Sequence, residues 1–97
     1  MDDNTKLILL YDYYGELLTD KQKVYFEDYY FNNLTLSEIS ENNDVSRSAV
    51  QKQLKDIEEK LNNYENKLKI IERNKKIEKI INSIEDLELK NKIIKLL

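Results

Sequence analysis

The sequence predicts an all-α fold, and its composition and its apolar spacing both favour helices over strands. The 97 residues include no proline and a single glycine, Gly15, so the turns that bound strands have few of their usual residues. Charged residues make up 36% of the chain, a balance typical of helices with much solvent-exposed surface. A chain of this length holds one small domain with a modest hydrophobic core.

Two helices are predicted in the first third of the chain. Apolar residues recur at helical spacing over Asn4–Leu18, which predicts the first helix. Thr19 is followed three residues later by Gln22, a capping-box pattern, so the second helix is expected over Asp20–Phe31. Eight of the nine aromatic residues lie in Tyr11–Phe31 among acidic neighbours, and we expect them to form the core between these helices.

The next segment has the pattern of a helix-turn-helix. Thr35 begins a second capping-box pattern and predicts a short third helix over Leu36–Asn42. The Asn43-Asp44 pair tolerates left-handed backbone, Val45 supplies an apolar contact, and Ser46 can cap a fourth helix. Two helices joined by about four residues have the proportions of a DNA-reading helix-turn-helix.

The fourth helix carries a heptad seam of apolar residues. Its members alternate spacings of four and three: Val50, Leu54, Ile57, Leu61, Tyr64, Leu68 and Ile71. A helix over Arg47–Glu72 would be about 40 Å long, so it must project, bend or pair. Two interpretations are open. The seam either packs against the first two helices of its own chain or joins two copies through its members Leu54, Ile57, Leu61, Tyr64, Leu68 and Ile71.

Charge divides the chain into two regions. Residues 1–60 carry seven Lys and Arg against thirteen Asp and Glu, whereas residues 61–97 carry nine against six. We therefore predict a helix-turn-helix domain over 1–60 and a C-terminal helical extension over 61–97 that serves dimerisation. Within the extension the apolar register shifts after Arg73, and Ser83 with Asp86 could cap a last helix.

The start of the fourth helix carries the candidate DNA-binding residues, which are Ser46, Arg47, Ser48, Gln51, Lys52 and Lys55. Arg47 could bind guanine and Gln51 adenine, while the two lysines would lie on phosphates. Each has a structural alternative. Ser46 can serve as the helix cap alone, the others can be solvated surface, and the lysines can pair with Asp56 and Glu59 at four-residue spacing.

Composition argues against enzyme chemistry. There is no Cys and no His, so a zinc site, a thiol nucleophile and an imidazole base are excluded, and no glycine-rich phosphate loop occurs. The carboxylates are scattered or adjacent, which does not favour a metal site or an acid–base pair. The N-terminus lacks the pattern of a signal peptide, and no apolar run could span a membrane. We expect a cytoplasmic protein that is not an enzyme and needs no cofactor.

Four segments together resemble the YlxM family of bacterial helix-turn-helix proteins: Tyr11–Gln22, Leu36–Ile39, Val45–Val50 and Leu61–Leu68. Their order and spacing match over about residues 7–70. The resemblance implies a helix-turn-helix without a wing, like region four of sigma factors, on a longer helical frame. It also implies that Ser46–Val50 begin the recognition helix, and that the protein has a suspected regulatory role linked to the signal recognition particle pathway.

Two functions are expected from this reasoning. The first is a small nucleic-acid-binding regulator that acts as a homodimer on DNA, or on RNA, with signal recognition particle components as further partners. The second is a protein-interaction adaptor in which the helix-turn-helix serves only as a scaffold. The excess of acidic residues over 1–60 is the main support for the second.

Overall fold

The computed structural model describes residues 3–97, and over that range the chain is helical with no strand. Its six α-helices are α1 (Asp3–Tyr14), α2 (Asp20–Tyr30), α3 (Leu36–Asn42), α4 (Arg47–Leu68), α5 (Ile70–Asn82) and α6 (Leu87–Ile94). A 3₁₀ turn, Gly15–Leu17, follows α1, so the first helix ends at Tyr14 and not at Leu18 as predicted. The all-α fold is confirmed.

Local capping starts the helices of the N-terminal half. The Thr19 hydroxyl accepts from the Gln22 N–H at 3.2 Å, and the Gln22 side chain accepts from the Thr19 N–H at 3.1 Å. The second capping box, at Thr35, is also complete. Ser46 caps α4 by accepting from the Ala49 N–H at 3.1 Å. These three predicted caps are confirmed. They could be predicted from the sequence because each joins residues only three positions apart.

The turn between α3 and α4 has the backbone that its residues favour. Asp44 adopts the left-handed conformation with φ 55°, and the Asn43 side chain donates to the Ile39 carbonyl at 2.8 Å. The Val45 N–H donates to the Ser40 carbonyl at 3.1 Å, and its side chain packs against the core. This turn fixes the direction in which α4 leaves α3.

The core lies where α1, α2 and α3 pack on α4. Its buried side chains are Leu7, Leu10, Tyr14, Leu18, Tyr25, Phe26, Ile39, Val50, Ile57, Leu61 and Ile71. Aromatic rings fill the space between α1 and α2, where the ring of Tyr11 stacks on that of Phe26 with centroids 4.2 Å apart. The predicted aromatic core is confirmed for Tyr14, Tyr25 and Phe26.

The fourth helix ends at Leu68, so the prediction of one continuous helix to Glu72 is wrong. Lys69 has a left-handed backbone with φ 54°, and α5 begins at the next residue. The break is held by the Glu65 carboxylate, which accepts from the N–H groups of Ile71 and Glu72, each at 3.1 Å. Glu65 thus supplies the cap that α5 would otherwise lack.

The last helix also starts differently from the prediction. Asp86 alone caps α6, by accepting from the Glu88 N–H at 3.0 Å and from the Leu89 N–H at 3.2 Å. The Ser83 hydroxyl instead donates to the Ile80 carbonyl at 2.6 Å, which ends α5. A shorter Asx-type cap therefore forms in place of the Ser83 capping box.

The described chain is elongated, at 56 × 25 × 24 Å with a radius of gyration of 17.4 Å. A compact domain of about 100 residues would have a radius near 13 Å. The start of α5 packs against α1 and the core, whereas α6 packs against α5. The proposed boundary between residues 60 and 61 falls inside α4, and Leu61 is a fully buried core residue. The independence of the two regions stays a prediction.

Candidate nucleic-acid interface

The six candidate DNA-binding residues share one exposed surface at the start of α4. They are Ser46, Arg47, Ser48, Gln51, Lys52 and Lys55, and all six are exposed. Ser46 occupies the cap position, with its hydroxyl 3.2 Å from that of Ser48. The structure therefore brings together, over the first turns of the second helix of the motif, every residue that sequence reasoning placed there.

The three positive side chains of this surface are free of intrachain ion pairs. Among the described residues, neither Arg47 nor Lys52 nor Lys55 lies within 4.0 Å of a carboxylate oxygen. The alternative in which the lysines pair with Asp56 and Glu59 along the helix is therefore not formed. Unpaired, exposed cations are available to phosphates without first breaking an internal contact.

A shallow groove of about 500 Å³ separates this surface from the C-terminal end of α2. Its lining consists of Tyr29, Tyr30, Leu36, Ser48, Gln51, Lys52, Leu54, Lys55 and Glu58. Tyr29 is 38% exposed and meets the ring of Tyr30 edge to face, with centroids 5.0 Å apart. Burial, and secondarily the Glu58 charge, raise the pKa of Tyr30, which keeps the phenol neutral.

Sequence reasoning assigned these aromatics to the core and so missed the exposure of Tyr29, whereas Tyr30 is partly buried and packs against the core as predicted. The doublet at the end of α2 gave no signal of its own, because core and surface aromatics look alike in a helical pattern. The exposure of Tyr29 depends on how α2 crosses α4, which is a tertiary property.

The positive surface ends at Lys55. Further along the exposed side of α4, Lys55 lies beside Glu58, Glu59, Asn62 and Asn63 around a second depression. The basic footprint therefore covers about the first three turns of a helix of 22 residues. A surface of this size can meet only a few phosphates.

The heptad seam is largely used inside the chain. Ile57, Leu61 and Ile71 are buried in the core, and Leu54 and Tyr64 are partly buried against it. The Tyr64 hydroxyl donates to the Leu17 carbonyl at 3.5 Å. Only Leu68, 53% exposed, faces solvent. These contacts fit the interpretation in which the seam packs within its own chain. Dimerisation through the seam stays a prediction.

A buried polar network joins α1 to the junction between α4 and α5, and sequence reasoning missed it. The Tyr14 hydroxyl donates to the Glu65 carboxylate at 2.5 Å and accepts from the Ile70 N–H at 3.3 Å. Burial raises the pKa of Tyr14, and its bond to Glu65 adds to this. Tyr14 and Glu65 are 51 positions apart in the sequence, so no local pattern indicates that their side chains meet.

The same network lowers the pKa of the Glu65 carboxyl. Burial opposes its ionisation, but the hydrogen bond from Tyr14 and the two N–H groups at the start of α5 outweigh that effect. The positive charge of Lys75 acts in the same direction. Glu65 is therefore held as a carboxylate that fixes where α5 departs from α4.

Two further findings concern the described residues as a whole. Among the helices of residues 3–97, none combines the length and the apolar character needed to cross a membrane. Within the same range, no three acidic side chains converge as metal ligands would.

These features define a helix-turn-helix protein: α3 is short, the turn after it contains one left-handed residue, and α4 is capped and exposes its first turns. Residues 1–97 match the UPF0122 family, whose description is "Putative helix-turn-helix protein, YlxM / p13 like". The chain belongs to this family, which confirms the resemblance inferred from the sequence.

Relatives at high identity come from several bacteria. A UPF0122 protein of Malacoplasma penetrans is 45% identical to this chain over 95% of its length and 86% of the relative's. One from Caldanaerobacter subterraneus is 51% identical over 81% of this chain and 71% of the relative. One from Clostridium novyi is 43% identical over 94% and 83%. The similarity therefore extends over most of both chains.

Proposed function

We propose that this protein is a non-enzymatic, nucleic-acid-binding regulator of the cytoplasm that places the start of α4 in the major groove of DNA. The observation that carries the proposal is the exposed surface of unpaired Arg47, Lys52 and Lys55 on the helix that follows the turn. The second helix of such a motif is the one that enters the groove.

The roles within this surface follow from side-chain chemistry. The Arg47 guanidinium donates two hydrogen bonds to guanine, at O6 and N7. The Gln51 side-chain amide forms two hydrogen bonds with adenine, at N6 and N7. Lys52 and Lys55 neutralise phosphates and carry no sequence information. Ser46 caps the helix by accepting from the Ala49 N–H, and the remaining N–H groups of the first turn are available to a phosphate.

The acidic charge of residues 1–60 shapes how such binding would behave. With thirteen acidic against seven basic residues, long-range attraction to nucleic acid is weak and the contact depends on the local surface. Two lysines that each neutralise one phosphate give a slope of about −1.8 for the logarithm of the binding constant against the logarithm of salt concentration.

Arg47→Ala and Lys52→Ala test the proposal in different ways. We expect Arg47→Ala to cost about 1–3 kcal/mol on the preferred sequence and to relax the preference at one base pair. Lys52→Ala should weaken binding to all sequences alike and reduce the salt slope by about 1. The measurement selects sheared genomic fragments on the purified protein and then titrates the retained fragment across a salt series.

Lys67→Ala is the matched control, since Lys67 is an exposed lysine in the last turn of the same helix. It should leave affinity and slope unchanged. If Arg47→Ala and Lys52→Ala also changed neither quantity, the groove assignment would be wrong. If the protein retained RNA and not DNA, the target of this surface would be RNA.

A second candidate function is an adaptor for components of the signal recognition particle pathway. The observation that favours it is the acidic charge of residues 1–60 beyond the short basic surface, including Glu58 and Glu59 on the exposed side of α4. A basic protein surface would complement this region. The test is a pull-down from nuclease-treated lysate, in which a partner that survives the treatment supports the adaptor and loss of all partners counts against it.

A further inference from the structure

The last two helices expose an unusual amount of apolar side chain. In the hairpin formed by α5 and α6, Ile80 is 65% exposed, Leu87 70% and Leu96 86%. Leu89, Ile94 and Leu97 are each about half exposed. Six large apolar side chains thus face solvent within residues 80–97. Scattered single exposures need no explanation, whereas a concentration of this kind marks an interaction surface.

The contacts within the chain do little to hold α6 in place. No residue of this eight-residue helix is buried, and its main packing partner is α5. Ile81 of α5 is buried but lies outside the main core cluster. A helix shorter than about 12 residues is marginal in water unless an apolar face packs against something. The hairpin therefore lacks a cover that would stabilise it.

The charges along the hairpin indicate what that cover is. Its tip carries Glu85, Asp86 and Glu88 with no basic residue between Lys79 and Lys90. Its base has a net positive charge on both helices: Arg73, Lys75 and Lys76 lie beside Glu72 in the first turns of α5, and Lys90, Lys92 and Lys95 follow Glu88 in and after α6. Lys76 pairs with Glu72 and Lys92 with Glu88, each at 3.4 Å, whereas Arg73, Lys75, Lys90 and Lys95 form no ion pair among the described residues. A second hairpin laid antiparallel on the first brings each acidic tip to the other's basic base, whereas a parallel pair sets like charges together.

We propose that two copies of this chain associate through the exposed apolar faces of their hairpins, tip to base. The surface repeats itself on both copies, as a twofold interface requires. A standard interface takes about 20–30 residues from each partner, which is comparable with the length of the hairpin. This dimer does not use the α4 seam, because most of that seam is buried in the chain's own core. It is also independent of whether α4 binds nucleic acid.

Sedimentation equilibrium on the full chain tests the proposal. We expect the wild type to have twice the chain mass, and we expect Leu87→Asp and Leu96→Asp each to shift it to a monomer. Leu96 lies beyond the end of α6, so Leu96→Asp removes the interface without placing a charge inside a helix. Far-UV circular dichroism of each variant shows whether the helices are retained.

Leu17→Asp is the matched control, because Leu17 is 51% exposed but lies in the turn after α1. It should remain a dimer. Leu68→Asp distinguishes an interface at the hairpin from one at the α4 seam, since Leu68 is the exposed member of the seam. This variant should also remain a dimer. A wild type that is monomeric at every concentration overturns the proposal, as does a dimer that Leu68→Asp breaks and Leu96→Asp leaves intact.

The tip-to-base arrangement has a test of its own. Glu85 forms no intrachain ion pair among the described residues, so Glu85→Lys changes charge without breaking an internal salt bridge. We expect this variant to dimerise more weakly at low salt, with the difference closing as salt rises. An unchanged dimerisation constant at low salt would exclude that arrangement.

Discussion

At the scale of single residues, Glu65 has the most consequences for this fold. One carboxylate accepts from the Tyr14 hydroxyl and from two N–H groups at the start of α5, so it joins three helices at one point. Hydrogen bonds to a charged acceptor are stronger than neutral ones, and here they replace the cap that Lys69 does not provide. The direction of α5 therefore depends on one ionised side chain.

Glu65→Gln should destabilise the protein and change its response to acid. The substitution removes the charge that favours the N–H groups of α5, at a cost of about 1–2 kcal/mol at neutral pH. The pKa of Glu65 is lowered on folding from its ordinary 4.5, so its stabilisation is present above that pH. It is lost as the pH falls through the lower folded-state pKa. The measurement is urea unfolding of both proteins between neutral pH and pH 3.

Wild type and Glu65→Gln should therefore converge in stability as the pH falls. Glu59→Gln is the control, because Glu59 is exposed on α4 and forms no ion pair among the described residues. That control should follow the wild type throughout. A constant gap between Glu65→Gln and wild type at all pH values would contradict the role of the carboxylate charge.

At the scale of elements, the structure depends on where helices stop. The α3–α4 turn and the α4–α5 junction each use one residue of positive φ, Asp44 at 55° and Lys69 at 54°. Asp as a residue type tolerates this conformation, since its short polar side chain can hydrogen-bond to nearby backbone, whereas Lys has no such compensation. The second junction is therefore held by tertiary contacts against local preference.

Lys69→Gly should stabilise the protein by about 0.5–1 kcal/mol. Glycine removes the steric cost of a left-handed backbone, which is about 1–2 kcal/mol for other residues. Part of this gain in stability is offset because glycine loses more conformational entropy on folding. Thermal unfolding measures the change. Lys67→Gly is the matched comparison inside α4 and should destabilise by about 1 kcal/mol. Equal losses in both variants would show that position 69 gains nothing from glycine.

At the scale of the whole molecule, α4 is shared by the two regions into which charge divides the chain. Its first turns expose the basic surface, its middle is the centre of the core, and its last turn leads into the projecting hairpin. Packing α1, α2 and α3 on this one helix fixes the orientation of the exposed start of α4. The position of the candidate interface is thus set by the same contacts that hold the fold together.

The heptad seam should behave as core along most of its length. Leu61→Ala removes a fully buried side chain and should cost about 2–5 kcal/mol of unfolding free energy. Leu68→Ala, seven residues along the same seam but 53% exposed, should cost about 0.5 kcal/mol or less. Urea unfolding of both variants gives the comparison. Similar costs at both positions would contradict the burial that separates them.

The sequence by itself determined the helical class, the caps at Thr19, Thr35 and Ser46, the left-handed turn before α4 and the grouping of the basic residues. All of these depend on residues within a few positions of each other, so their physics is local. Tertiary structure alone decided the break after Leu68, the burial of most of the seam and the exposure of Tyr29. The break depends on Glu65 meeting Tyr14, 51 positions away, and no local pattern records a contact at that distance.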